Sequence, residues 1–232
     1  MKGGIISFIK NIIAPKHCYS CNLEWYFLCP KCLSKLSNYK PICYACKKPS
    51  KNFEVHKNCK NKIYFDNLLI LTKYNTPLIQ KLIKDSKFYS KKDILEDFWI
   101  YLSNLFEKNF KLERNSIVSP VPMNYFRKIK RWYNHSEVLS KIISKKLNLL
   151  MENNLVKRIK NTRQQSKLSR KDRLLNLANS FKIRKNKIDT IDKKEIILID
   201  DVVSTWTTLN EISKLLKKHW AKKIICLVIS SD

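Results

Sequence analysis

Two groups of residues have the types and spacing that chemistry needs. In the stretch IILIDDVVSTWTTL, residues 196–209, an apolar run ends in Asp200 and Asp201, and Ser204, Thr205, Trp206, Thr207 and Thr208 follow. Adjacent carboxylates can accept hydrogen bonds from sugar hydroxyls. Ser and Thr hydroxyls, with the first N–H groups of a following helix, can hold a phosphate. The second group is a set of thiols. Seven of the eight cysteines lie within residues 18–59, as CYSC (Cys18, Cys21), CPKC (Cys29, Cys32), CYAC (Cys43, Cys46) and HKNC (His56, Cys59). A C-x-x-C turn lets two thiolates converge on one tetrahedral ion, and two such turns fill a structural zinc site. Four turns supply eight ligands and therefore two structural zincs. His56 earns its place by standing three residues before Cys59. Sequential pairing of the turns and a cross-braced arrangement are both compatible with the spacing. A reducing compartment disfavours disulfides, and a redox pair would not need four repeats. Cys226, in KIICLVIS, is expected to be a buried strand residue.

Elements must place these residues. An apolar run leading into two acids, then Ser/Thr, then TTLNEISKLLKKH predicts strand, turn and helix. Ligands of open α/β sheets sit beyond the carboxyl ends of strands, which is where the acid pair would lie. A strand or hairpin is expected near 63–74, then helices in TPLIQKLIKDSK and KKDILEDFWIYLSNLFEKNF. SPVPM follows a short buried strand. NHSEVLSKIISKKLNLL opens on Asn134 with Glu137 three later, a capping-box-like start. NLVKRIKN and KKIICLVIS are further strands. Alternation of strand and helix predicts an α/β domain with a mainly parallel sheet. The division expected is 1–62 for a cysteine-rich segment with a short N-terminal helix (Ile5 to Ile13), and 63–232 for the α/β domain.

The 232-residue chain is long enough for a sizeable core, and its 44% hydrophobic content excludes global disorder. Its formal net charge is +28, from 47 Lys+Arg against 19 Asp+Glu. Such a surplus favours a polyanionic partner, although an AT-rich coding bias inflates lysine as well. No run approaches the ~20 apolar residues of a membrane span, so a cytoplasmic protein without a membrane span is expected.

The phosphate-loop stretch resembles the phosphoribosyl pyrophosphate (PRPP) motif of type I phosphoribosyltransferases. Cysteine turns, SPVPM, RKIKRWYNHSEVL, RQQSKLSRKDRLLNLANSF and that motif occur in the order seen in the ComF family, amidophosphoribosyltransferase-like proteins associated with DNA uptake in natural transformation. The resemblance covers nearly the whole chain. It implies a type I phosphoribosyltransferase-like fold, a mainly parallel sheet flanked by helices, behind a small double zinc ribbon. It makes Asp200 and Asp201 the catalytic, ribose-contacting acids and residues 204–208 the cradle of the 5′-phosphate, with Mg²⁺ accompanying PRPP. Arg127, Arg131 and Arg173 would face anionic groups, pyrophosphate or DNA, and Gln165 and Asn176 match a segment that closes over the ligand. Three functions follow. One is a phosphoribosyltransferase or sensor of PRPP or a related phosphosugar; no base to activate an acceptor stands out. Another is a single-stranded DNA-binding module, suited to the charge and to basic runs such as FRKIKRW. The third is a docking platform for a competence helicase-like partner.

One residue of the loop departs from the pattern. Glycine normally stands at Trp206, and the family also carries it at Trp132 and Trp220. The chain has only Gly3 and Gly4, whereas about 7%, or roughly 16 residues, is usual. The expectation is a gene in which UGA encodes glycine, read here as tryptophan. Trp25 and Trp99 would then be glycines too. If Trp206 is real, its ring is expected to fill the phosphate space, with its Cβ opposing positive φ.

Overall fold

The structure is a computed structural model and describes residues 15–36, 41–88, 91, 93–123, 133–159 and 179–231. Among these, strand β6 (Glu195–Val203) dictates most of the architecture. Its first five residues are all buried, so it needs apolar cover on both faces, as central strands of parallel sheets do. It lies third in a five-stranded sheet of order β1-β7-β6-β2-β3. The others are β1 (Asn67–Lys73), β2 (Ile117–Pro120), β3 (Leu150–Met151) and β7 (Lys223–Ser231). Every pairing in this sheet is parallel. A separate antiparallel ribbon joins β4 (Val156–Arg158) to β5 (Phe181–Ile183). The expectation of a mainly parallel α/β fold holds.

Side chains alternate across the sheet. Ile197, Ile199, Ile225, Leu227, Leu69 and Leu71 enter one hydrophobic cluster. Ile196, Leu198, Ile224, Cys226, Leu68 and Ile70 enter the other. Cys226 is fully buried there, as its sequence setting suggests. Helices α2 (Pro77–Phe88), α3 (Asp93–Asn109) and α4 (His135–Leu147) contribute to the first cluster. Helix α5 (Thr207–Lys218) covers the opposite face with Leu209, Ile212 and Leu216. The helix after β2 and the helix after β6 therefore lie on opposite faces, although those two strands are neighbours. This is a topological switch point, which leaves a crevice at the strands' carboxyl ends.

The cysteine-rich segment is built on turns, with one short helix, α1 (Pro30–Leu36). Cys18, Leu28, Cys29, Cys32, Leu33 and Phe53 share the first apolar cluster with the sheet. Cys43 and Val55 join the second. The expected helix over Ile5–Ile13 lies outside the described residues.

Helix ends explain two details. Asn134 caps α4, its side chain accepting from the Ser136 N–H. Helix α5 ends in a Schellman turn: the Ala221 N–H bonds to Leu216 O at 3.2 Å and the Trp220 N–H to Lys217 O at 3.1 Å. Trp220 has φ 63°, the left-handed position that glycine usually fills.

Candidate functional site

Strand β6 does not stop at its acids but runs on to Val203, so Asp200 and Asp201 sit in its last turnings beside the crevice. The cavity there is lined by Val121 and Pro122 from the end of β2, by Asn134 and Ser136 at the start of α4, and by Asp200, Asp201, Ser204, Thr205 and Thr208. The structure thus brings three sequence-selected loop residues, Ser204, Thr205 and Thr208, and both acids together around one space. Thr205 Oγ1 is buried and makes no hydrogen bond among the described residues. Helix α5 starts at Thr207, and its first N–H groups face the same end of the sheet.

Thr207 and Trp206 are placed differently. Neither lines the cavity. Trp206 is the residue before the helix, with φ −66° and ψ −1°. Its ring packs against the apolar cluster under α5. The expectation that its ring fills the phosphate space is therefore corrected: the turn takes ordinary right-handed geometry, and the indole turns toward the core. Arg127, Arg131, Trp132, Gln165, Arg173 and Asn176 lie outside the described residues.

The two acids differ in their surroundings. Asp200 Oδ1 accepts the Ser136 hydroxyl at 3.0 Å and the Asp201 N–H at 2.9 Å. Burial, then the neighbouring charge of Asp201, pushes the Asp200 carboxyl up to about 8. Asp201 Oδ1 accepts the Val202 N–H at 2.8 Å. Its Oδ2 lies 2.6 Å from the ammonium of Lys87, the penultimate residue of α2. Burial opposes ionisation of Asp201, yet Lys87 and then His135 hold it well below the usual carboxylate range. The surroundings thus favour the protonated form of Asp200 and the ionised form of Asp201. Such a pair offers a donor and acceptors together, the set that vicinal hydroxyls match.

Lys87, Ser136 and Arg158 escaped the sequence reading. Ser136 looked like part of a helix start. Arg158, at the end of β4, lines the cavity and lies 5.7 Å over the Phe181 ring. Nothing in the pattern of α2 separates Lys87 from Lys81 or Lys84.

The thiols form two groups. Cys18, Cys21, Cys29 and Cys32 place their sulfurs within 4.8 Å of one another, as do Cys43, Cys46 and Cys59. The turns pair sequentially. Cys21 Sγ and Cys29 Sγ are 3.6 Å apart, close to the roughly 3.8 Å that tetrahedral ~2.3 Å bonds to zinc imply. His56 Nδ1 lies 3.3 Å from Cys46 Sγ, and its Nε2 is 3.1 Å from Pro49 O. A ring nitrogen that donates to a carbonyl leaves the other free to ligate a metal. Both groups can therefore hold a metal ion.

Among the described residues, no helix is long and apolar enough to cross a membrane. Residues 120–232 match the family described as the phosphoribosyl transferase domain. The chain is 32% identical to competence protein F of Haemophilus influenzae over 202 residues, 85% of this chain and 87% of that one. It is 25% identical to DNA utilization protein YhgH of Escherichia coli over 228 residues, 92% of this chain and 96% of that one.

Proposed function

Because the chain belongs to the competence protein F family, we propose that its crevice binds PRPP or a related phosphosugar in the service of DNA uptake. The observation that carries this reading is the acid pair Asp200–Asp201 at the end of β6, facing the same cavity as Ser204, Thr205 and Thr208. The 5′-phosphate takes the hydroxyls of this loop and the N–H groups opening α5. The buried Thr205 hydroxyl gains a partner, which it lacks among the described residues. Asp200 and Asp201 take the two ribose hydroxyls. Mg²⁺ arrives with the pyrophosphate as part of the ligand. If a transfer to a nitrogenous acceptor follows, positioning of the ribose carries it, since the transition state is oxocarbenium-like.

The two thiol groups hold structural zinc. Four sulfurs crowd together in the first group, and three sulfurs with His56 Nδ1 beside them in the second. Thiolates so placed repel one another and need a cation, and with His56 as the fourth ligand neither group leaves a position for substrate. The names of the relatives, competence and DNA utilization, support the role in DNA handling.

A calorimetric titration of Mg²⁺–PRPP tests the central claim. Saturable binding that Asp200→Asn/Asp201→Asn abolishes is the expected result. Binding that persists in the double variant sinks it. A second reading rests on the net charge of +28: the fold serves as a single-stranded DNA-binding or partner-docking module without turnover. It requires DNA affinity that falls steeply with salt and ignores the acid pair.

A further inference from the structure

The acid pair is completed from outside the phosphoribosyl transferase region. That match begins at residue 120, whereas Lys87 belongs to α2, which follows β1 at the far edge of the sheet. Its side chain reaches Asp201 at 2.6 Å, and both partners are mostly shielded, with 15% and 19% of their side-chain surface exposed. The end of α2 is itself held against the loop before α4, because the Tyr133 hydroxyl donates to Ser86 O. Lys87 is thus delivered by a fixed helix end.

We propose that Lys87 is a positioning residue of the phosphosugar site: it pins Asp201 Oδ2, so that this carboxylate meets the ribose already fixed in direction. The assignment rests on the phosphosugar reading above. The Val202 N–H holds the other oxygen, so the carboxylate is fastened at both ends. A carboxylate fixed in this way accepts a hydroxyl without first losing rotational freedom. Without the ammonium, two adjacent acids in a half-buried crevice would compete for one proton, and Asp201 would turn toward Asp200 or solvent. Among the described residues, His135 and Ser136 of α4, Arg158 of β4 and the cavity-lining Asn134, Ser204, Thr205 and Thr208 are further charged or polar neighbours of the pair.

The test uses the full chain with Lys87→Met and Lys87→Arg, titrated with Mg²⁺–PRPP, ribose 5-phosphate and inorganic phosphate. Lys87→Met is expected to weaken the first two by the same factor, roughly tenfold to a hundredfold, as loss of a charged hydrogen bond would. Inorganic phosphate, which needs only the loop, keeps its affinity. Lys87→Arg recovers most of the loss. A loss confined to PRPP overturns the proposal, because Lys87 would then touch the pyrophosphate directly. Unchanged affinity for both sugars overturns it while leaving the phosphosugar reading intact. If the unaltered protein binds neither sugar, the phosphosugar reading falls and takes this assignment with it. Should Lys87→Met unfold, the same substitution in an Asp201→Asn background removes both charges together. There it is expected to change affinity by less than about twofold relative to Asp201→Asn alone, and a full additional loss overturns the proposal.

Discussion

Tyr19 donates a 2.8 Å hydrogen bond to Asp85 Oδ2, and Asp85 stands two residues before Lys87. Tyr19 lies between Cys18 and Cys21, inside the first thiol turn. The Lys91 ammonium donates to the same phenol at 2.8 Å, and Lys81 sits 4.9 Å over its ring. The first thiol group is therefore fastened to the helix that delivers Lys87. Removing its metal is expected to loosen both. Chelation should speed amide exchange in residues 15–36 and 77–88, while β6 and β7 stay protected. It should also weaken PRPP binding. Unchanged protection of 77–88 after complete metal loss would show that α2 stands without the thiol turn.

A second fastening lies on α3. Asp97 Oδ2 accepts the N–H of Phe27 at 2.7 Å and of Leu28 at 3.1 Å. Only 8% of Asp97 is exposed, so water cannot replace it. Asp97→Ala is expected to cost about 2–4 kcal/mol through the unpaired N–H groups, read from denaturant unfolding of the metal-loaded protein. A loss under half a kcal/mol, on the order of an ordinary surface substitution, would show that the loop finds other partners. Burial, ahead of every other influence, pushes the Asp97 carboxyl up to about 6. A raised carboxyl gives stability that is full below its unfolded value and is lost as pH rises through its folded one. Asp97→Asn, which keeps an acceptor, should therefore lack the decline of the unaltered protein between about pH 4 and pH 6.

The acid pair makes a pH prediction of its own. Asp200 is pushed up to about 8, by burial first and by Asp201 second. Below that pH it is neutral beside an anionic ligand; above it, a second negative charge faces the phosphosugar. Affinity for Mg²⁺–PRPP should hold steady from about pH 7 to 8, then fall by up to about tenfold per unit, one proton being linked to binding. Asp200→Asn should bind without that fall. Lys87, His135 and Arg158 set the background field and stay in both proteins. A decline that survives Asp200→Asn assigns the titration to another group.

How much of this was legible in the sequence depends on the range of the forces involved. β6 and its acids were readable because an apolar run followed by Asp-Asp is a local pattern, and so were the thiol turns, whose ligand spacing is set within four residues. Asn134 was readable as a cap for the same reason. Lys87 was not, because its partner is more than a hundred positions away and its helix carries several other lysines. Asp97, Tyr19 and Ser136 belong with it: each acts through contacts between elements distant in sequence. Trp206 was misplaced because the pattern implied a turn with positive φ, whereas the backbone there is right-handed and helix-like.

The five tryptophans now separate on backbone grounds. Trp25 and Trp220 have φ 77° and 63° and leave 57% and 77% of their surface exposed. A β-carbon in that region costs roughly 1–2 kcal/mol, and an exposed ring returns little of it. Trp99 is the opposite case, a right-handed helical residue only 3% exposed in the main core. Trp132 lies outside the described residues. Trp220→Gly is therefore expected to stabilise the protein by about 1 kcal/mol, Trp206→Gly to change stability little, and Trp99→Gly to cost several kcal/mol through cavity formation and lost helix propensity. Peptide mass spectrometry of the protein from its native source complements these measurements. Glycine at 25 and 220 would establish that UGA is read as glycine there. Intact tryptophan at both would mean that the chain tolerates the strained turns, and the gain from Trp220→Gly would then measure what that tolerance costs.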